Sequence, residues 1–78
     1  MPICFVLIGV APGHERNVYN KLLKIPEMVE CYIVSGECDI IAKFKVDDLE
    51  RLPTILVTKI RSINGVKDIR TLTGLELA

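Results

Sequence analysis

The run Ile3–Val10 (ICFVLIGV) constrains this chain more than any other segment. It is rich in β-formers and apolar on both alternating faces, with Ile3, Phe5 and Leu7 on one side and Cys4, Val6 and Ile8 on the other. A strand of this kind is stable only when both of its faces are covered. It is too short for a membrane span, which needs about 18 apolar residues. It also lacks the basic start and small-residue cleavage site of a signal peptide. A reducing, cytoplasmic setting is therefore expected. The two-sided pattern recurs farther along, where Ile41 faces away from Ile40 and Phe44.

The whole chain has 78 residues, enough for one domain spanning 1–78. A chain this short buries only about 60% of its unfolded surface when it folds alone. Yet 50% of its residues are apolar. The excess points to a subunit interface.

Breakers and periodicities divide the chain into six elements. Ala11-Pro12-Gly13-His14 reads as a loop after the first strand. Val18, Tyr19, Leu22, Leu23 and Ile25 then follow a helical period, which Pro26 stops. Met28–Ser35 alternates, with Val29, Cys31 and Ile33 on one face and Glu30, Tyr32 and Val34 on the other. Cys38–Val46 alternates again, and the two strands form a hairpin through Gly36-Glu37. Asp47-Asp48 offers an N-cap to a second helix with Leu49, Leu52, Leu56, Ile60 and Ile63 on one stripe. Pro53 predicts an irregular first turn or a kink in that helix. Asn64-Gly65 ends it, and Val66–Leu77 forms the last strand, with Ile69, Thr71, Thr73, Leu75 and Leu77 on one face.

The order β-α-β-β-α-β predicts an α+β, ferredoxin-like fold. Two helices pack on one face of a four-stranded antiparallel sheet and leave the other face bare. Soluble monomers avoid large exposed apolar patches, so a second copy packed sheet against sheet is expected.

Ten basic and ten acidic residues give zero net charge and no basic stripe, which argues against direct nucleic-acid binding. Three cysteines without C-x-x-C spacing argue against a disulfide framework or a zinc site. Cys4 and Cys31 read as small buried hydrophobes. No phosphate loop, metal-ligand cluster or dinucleotide fingerprint occurs, so no cofactor is expected. His14, the single histidine, has no accompanying nucleophile motif and reads as a cap or a surface residue. Tyr19 and Tyr32 read as core or interface aromatics.

The segments Pro12-Gly13, Ile25-Pro26-Glu27-Met28-Val29, Val34-Ser35-Gly36-Glu37-Cys38-Asp39-Ile40, Gly65-Val66 and Arg70-Thr71-Leu72-Thr73 resemble the effector-binding (RAM) domain of Lrp/AsnC regulators. The resemblance covers about residues 3 to 77, and the G-x-x-D of Gly36–Asp39 is its most specific piece. It implies homodimers joined through their sheets in a dimeric α/β barrel-like assembly, octamers of four dimers, and a free amino acid bound between neighbouring dimers. Family members usually carry an N-terminal helix-turn-helix, whereas this chain enters its first strand directly from Met1-Pro2. It therefore resembles a stand-alone form. Cys38 stands where the family often has an aromatic residue, and Pro53 interrupts the second helix.

An amino-acid site needs donors for a carboxylate and acceptors for an ammonium. The resemblance points to Gly36, Glu37, Cys38, Asp39, Thr71 and Thr73 as ligand-binding residues. Gly36–Asp39 offers backbone groups at close range, Asp39 a carboxylate that holds the ammonium or braces the turn, and the threonines two hydroxyls. The residues alone also fit a plain hairpin turn and β-favouring threonines. Three functions remain open at this point. The first is a non-catalytic sensor of a small effector that modulates transcription-related assembly. The second is a pure assembly module pairing with a full-length, DNA-binding Lrp/AsnC regulator. The third is a small enzyme of the dimeric α+β barrel architecture, for which the helix-facing positions provide no catalytic groups.

Overall fold

A computed structural model describes residues 2–45 and 52–75. Six elements follow in the expected order: β1 (Pro2–Val10), α1 (Glu15–Leu22), β2 (Met28–Ile33), β3 (Ile40–Lys45), α2 (Leu52–Arg61) and β4 (Val66–Leu75). The strands form one antiparallel sheet in the order β2-β3-β1-β4. This is the ferredoxin-like α+β arrangement, with the two-faced strand β1 in an interior position.

Alternation along β1 and β3 creates the core. Cys4, Val6 and Ile8 of β1 and Ile40, Ala42 and Phe44 of β3 are completely buried. Val18 and Leu22 of α1, with Leu56 and Ile60 of α2, close over them. The opposite side of β1 and β3, carrying Phe5, Leu7, Ile41 and Lys43, is only half-buried.

Several expectations need adjustment. The register shifts between Met28 and Glu30, so Met28, opposite Phe44, joins the core, and Val29 becomes the extra residue of a bulge. Helix α1 ends at Leu22, before Pro26, and a turn through Leu23–Ile25 completes the connection. Pro53 is the second described residue of α2, and the residues before Leu52, on which the expected irregular turn depends, lie outside the described residues. The expected cap at Asp47-Asp48, together with Val46, Leu49 and Leu77, lies outside the described residues.

The uncovered sheet face is more polar than the sequence pattern suggested. Glu30, Lys43, Lys45, Asp68 and Arg70 project there by register among Phe5, Leu7, Tyr32, Ile41 and Leu72. Lys43 Nζ lies 3.8 Å from a Glu30 carboxylate oxygen and 6.0 Å from the centre of the Phe5 ring. The Tyr32 hydroxyl donates to Glu30 at 3.0 Å.

Candidate ligand-binding site

The hairpin between β2 and β3 turns through a six-residue loop, Val34–Asp39, longer than the tight turn expected at Gly36-Glu37. Asp39 explains the length. β3 begins at Ile40 opposite Ile8, so β1 runs on past its partner. Asp39 extends the ladder in its place. Its N–H donates to the Ile8 carbonyl at 2.9 Å, and its Oδ2 accepts the Val10 N–H at 2.7 Å. The Val34 N–H closes the loop by donating to the Asp39 carbonyl at 2.8 Å. A carboxylate that accepts a backbone N–H is a charge-assisted brace.

The loop tip is open. Gly36 and Glu37 are exposed, while Cys38 and Asp39 are half-buried. Gly36 adopts φ +127°, a region that side chains disfavour, with open space around it. Glycine is needed there for conformation rather than for room. The result is an accessible backbone tip on a fixed base.

The threonines lie elsewhere. Thr71 pairs with Val6 and Thr73 with Cys4, both on the helix side of β4. Asp39 instead meets β1 at Ile8 and Val10, on the far side of that strand. Two strand spacings, about 10 Å, separate β3 from β4. Within one chain, Gly36–Asp39 and Thr71/Thr73 therefore form two separate groups.

Thr71 borders a shallow cleft of about 420 Å³ between α2 and β4, lined also by Thr54, Val57, Thr58 and Arg61. Sequence reasoning passes over Arg61. The signal is present, since positions 54, 57, 58 and 61 share one helical stripe, but it runs beside the apolar stripe that buries Leu56 and Ile60. The Thr58 hydroxyl donates to the Thr54 carbonyl at 2.9 Å.

His14 stands at the N-cap position of α1 without a side-chain cap hydrogen bond. Its ring packs on Gly65, where any side chain would overlap it. Gly65, at φ +104°, accepts the Ala11 N–H at 2.7 Å, and the Asn17 side chain donates to the Asn64 carbonyl at 3.2 Å. His14 is thus a structural filler between two connections. All three cysteines are free, and burial pushes the Cys31 thiol up to about 11. Among the described residues, no three His, Cys, Asp or Glu side chains are grouped to hold a metal ion. No helix among them is long and apolar enough to cross a membrane.

Comparison with known proteins places this geometry. The family model described as the Lrp/AsnC ligand binding domain matches residues 3–76. The Pyrococcus furiosus HTH-type transcriptional regulator FL11 is 35% identical over 75 residues, covering 96% of this chain and 49% of the regulator. The chain thus spans about half the length of the curated relatives it matches. A hypothetical protein from Pyrococcus horikoshii has a crystal structure that superposes with a TM-score of 0.85 at 36% identity, covering 99% of this chain and 93% of that one. A transcriptional regulator from Neisseria meningitidis, solved as a complex with L-methionine, shares the fold with a TM-score of 0.80 at 19% identity, over 96% of this chain and 50% of its own. The family consists of regulatory ligand-binding domains found in transcription regulators, not of enzymes. By its sequence and by its fold, the chain belongs to the Lrp/AsnC ligand-binding domain family.

Proposed function

We propose that residues 1–78 act in the cytoplasm as one effector-binding and oligomerisation domain of Lrp/AsnC type. The domain binds a small ligand of the amino-acid class between subunits and thereby modulates transcription-related assembly. One observation carries this reading: the Gly36–Asp39 loop and Thr71/Thr73 are separated within a chain, so a single ligand can meet both groups only across two copies. The amino-acid class is supported by family membership and by the L-methionine held in the Neisseria regulator of the same fold. The copies pair through their uncovered sheet faces, and dimers assemble further, up to an octamer of four dimers.

A thermal-shift screen against the standard L-amino acids at millimolar concentration tests this function. A ligand specific for the folded state adds about 2.7 kcal/mol at one hundred times its Kd. A selective rise in Tm for one or two amino acids supports the proposal. A flat response to all of them overturns it and favours the second reading, an assembly module that pairs with a full-length DNA-binding Lrp/AsnC regulator. That reading is favoured by the uncovered apolar stripe, which serves assembly with or without a ligand.

Asp39 has two separable duties to test. Asp39→Asn keeps an oxygen acceptor for the Val10 N–H and removes the charge, whereas Asp39→Ala removes both. The expected outcome is a folded Asp39→Asn protein without a ligand-induced Tm rise, and an Asp39→Ala protein that is also about 1–3 kcal/mol less stable. A full ligand response in Asp39→Asn would confine Asp39 to bracing.

A further inference from the structure

The β2–β3 loop and the α2–β4 cleft carry opposite charge. The charged side chains of the loop, Glu37 and Asp39, are both acidic, and Asp39 spends one oxygen on Val10. The α2–β4 cleft contributes one charged group, the guanidinium of Arg61, beside hydroxyls of Thr54, Thr58 and Thr71 and the apolar wall of Val57. Resting on the reading that a second copy brings the loop to this cleft, we infer that Arg61 receives the carboxylate of the ligand, while Glu37 and Asp39 face its ammonium. The site is thereby polarised, and it accepts a zwitterion in one orientation.

Arg61 has an ordinary duty to weigh against this one. With Lys59 it sits in the last turn of α2, where positive charge complements the helix dipole. Position separates the two cations: Arg61 lines the cleft with Thr58 and Thr71, and Lys59 does not. No carboxylate among the described residues lies within ion-pair distance of Arg61, although Asp68 borders a smaller neighbouring cleft that Arg61 also lines. The Thr58 hydroxyl proton is engaged by the Thr54 carbonyl, so Thr54 and Thr71 are the hydroxyl donors available to an anion. A guanidinium presents paired N–H groups that match a carboxylate, whereas an ammonium acts as a point charge.

The test compares each standard L-amino acid with its own α-carboxamide, which keeps the ammonium and side chain and removes the carboxylate charge. Thermal shift finds the binders and calorimetric titration gives their Kd. The carboxamide of a binding amino acid is expected to bind at least about tenfold more weakly. Arg61→Gln should abolish that discrimination, and Arg61→Lys should restore part of it. Arg61 is exposed, so unliganded Arg61→Gln should stay folded, with at most a small fall in Tm from the lost helix-dipole contact, and keep the wild type's oligomeric state. If it does not fold, Thr71→Val, which removes one donor from the same cleft, replaces it. Equal affinity for acid and carboxamide, or discrimination that survives in Arg61→Gln, overturns the role of Arg61 while the amino-acid reading stands. Absence of any response to acids and carboxamides alike overturns both.

Discussion

On one side of the sheet Val6, Ile8, Ala42 and Phe44 have no exposed surface; on the other, Leu72 is 58% exposed and Tyr32 55%. The same strands produce both sides, and the difference lies in what shares the surface. The helix side is wholly apolar where α1 and α2 cover it. The other side mixes an apolar stripe of Phe5, Leu7, Ile41 and Leu72 with five charged residues, namely Glu30, Lys43, Lys45, Asp68 and Arg70. A permanently buried face would suffer from so many charges, because each must be desolvated and paired. A permanently wet face gains nothing from Phe5 or Leu72. A face that mixes apolar and charged residues in this way has the overall polarity of many protein–protein interfaces. The comparison therefore separates two energetic duties: the helix side holds the chain folded, and the open side is free to carry the proposed contact between chains.

The sharpest way to break this division is Phe44→Ala. Phe44 is fully buried, so the substitution should cost about 3–5 kcal/mol, read from urea unfolding. A loss below about 1 kcal/mol would mean that the helix side does not dominate folding. Leu72→Asp tests the other half. The circular dichroism spectrum should stay that of the wild type, while light scattering should show a shift to smaller species, with association weakened about tenfold or more. Unfolding of Leu72→Asp would show instead that the two duties are not separable.

The smallest effect lies on neighbouring residues of β2 that face opposite ways. Burial raises the Cys31 thiol from 9.0 to about 11. The folded state thus keeps a proton that the unfolded chain loses first. The resulting stabilisation is complete below pH 9 and is lost as pH rises towards about 11, a slope that Cys31→Ala should flatten. Tyr32 is also raised, but chiefly by its hydrogen bond to Glu30 rather than by burial. Glu30→Gln should bring the phenol back towards its ordinary titration, followed by absorbance, and leave the Cys31 slope unchanged.

Much of the fold is legible in the residues. Pro26 and Asn64-Gly65 fall in the connections that lead into β2 and β4, although the helices end earlier, at Leu22 and Arg61, and the alternation of Ile40, Ala42 and Phe44 names the core face directly. Val29 is misleading because a bulge leaves no trace in a period-two pattern; only pairing with β3 shows that Met28 takes the core position. The polarity of the open face emerges only when register brings charges from three strands, β2, β3 and β4, around β1. The candidate site divides in the same way. Gly36–Asp39 is readable as a turn, yet the brace from Asp39 to Val10 crosses 29 residues of sequence. Its separation from Thr71 is hidden because a family resemblance gathers residues into one set without saying where the fold puts them. Arg61 was hidden because a lone arginine on a helix ordinarily reads as solvated surface.

The brace has one more consequence. The Val10 amide proton points at a carboxylate in the very loop proposed to meet the ligand, and such a proton should resonate well downfield in an NMR spectrum. It is then a built-in indicator. Any event that tugs on the loop, whether a docking neighbour or a captured small molecule, would move that single resonance without a label or a substitution, and the size of the displacement would grade how hard each event pulls.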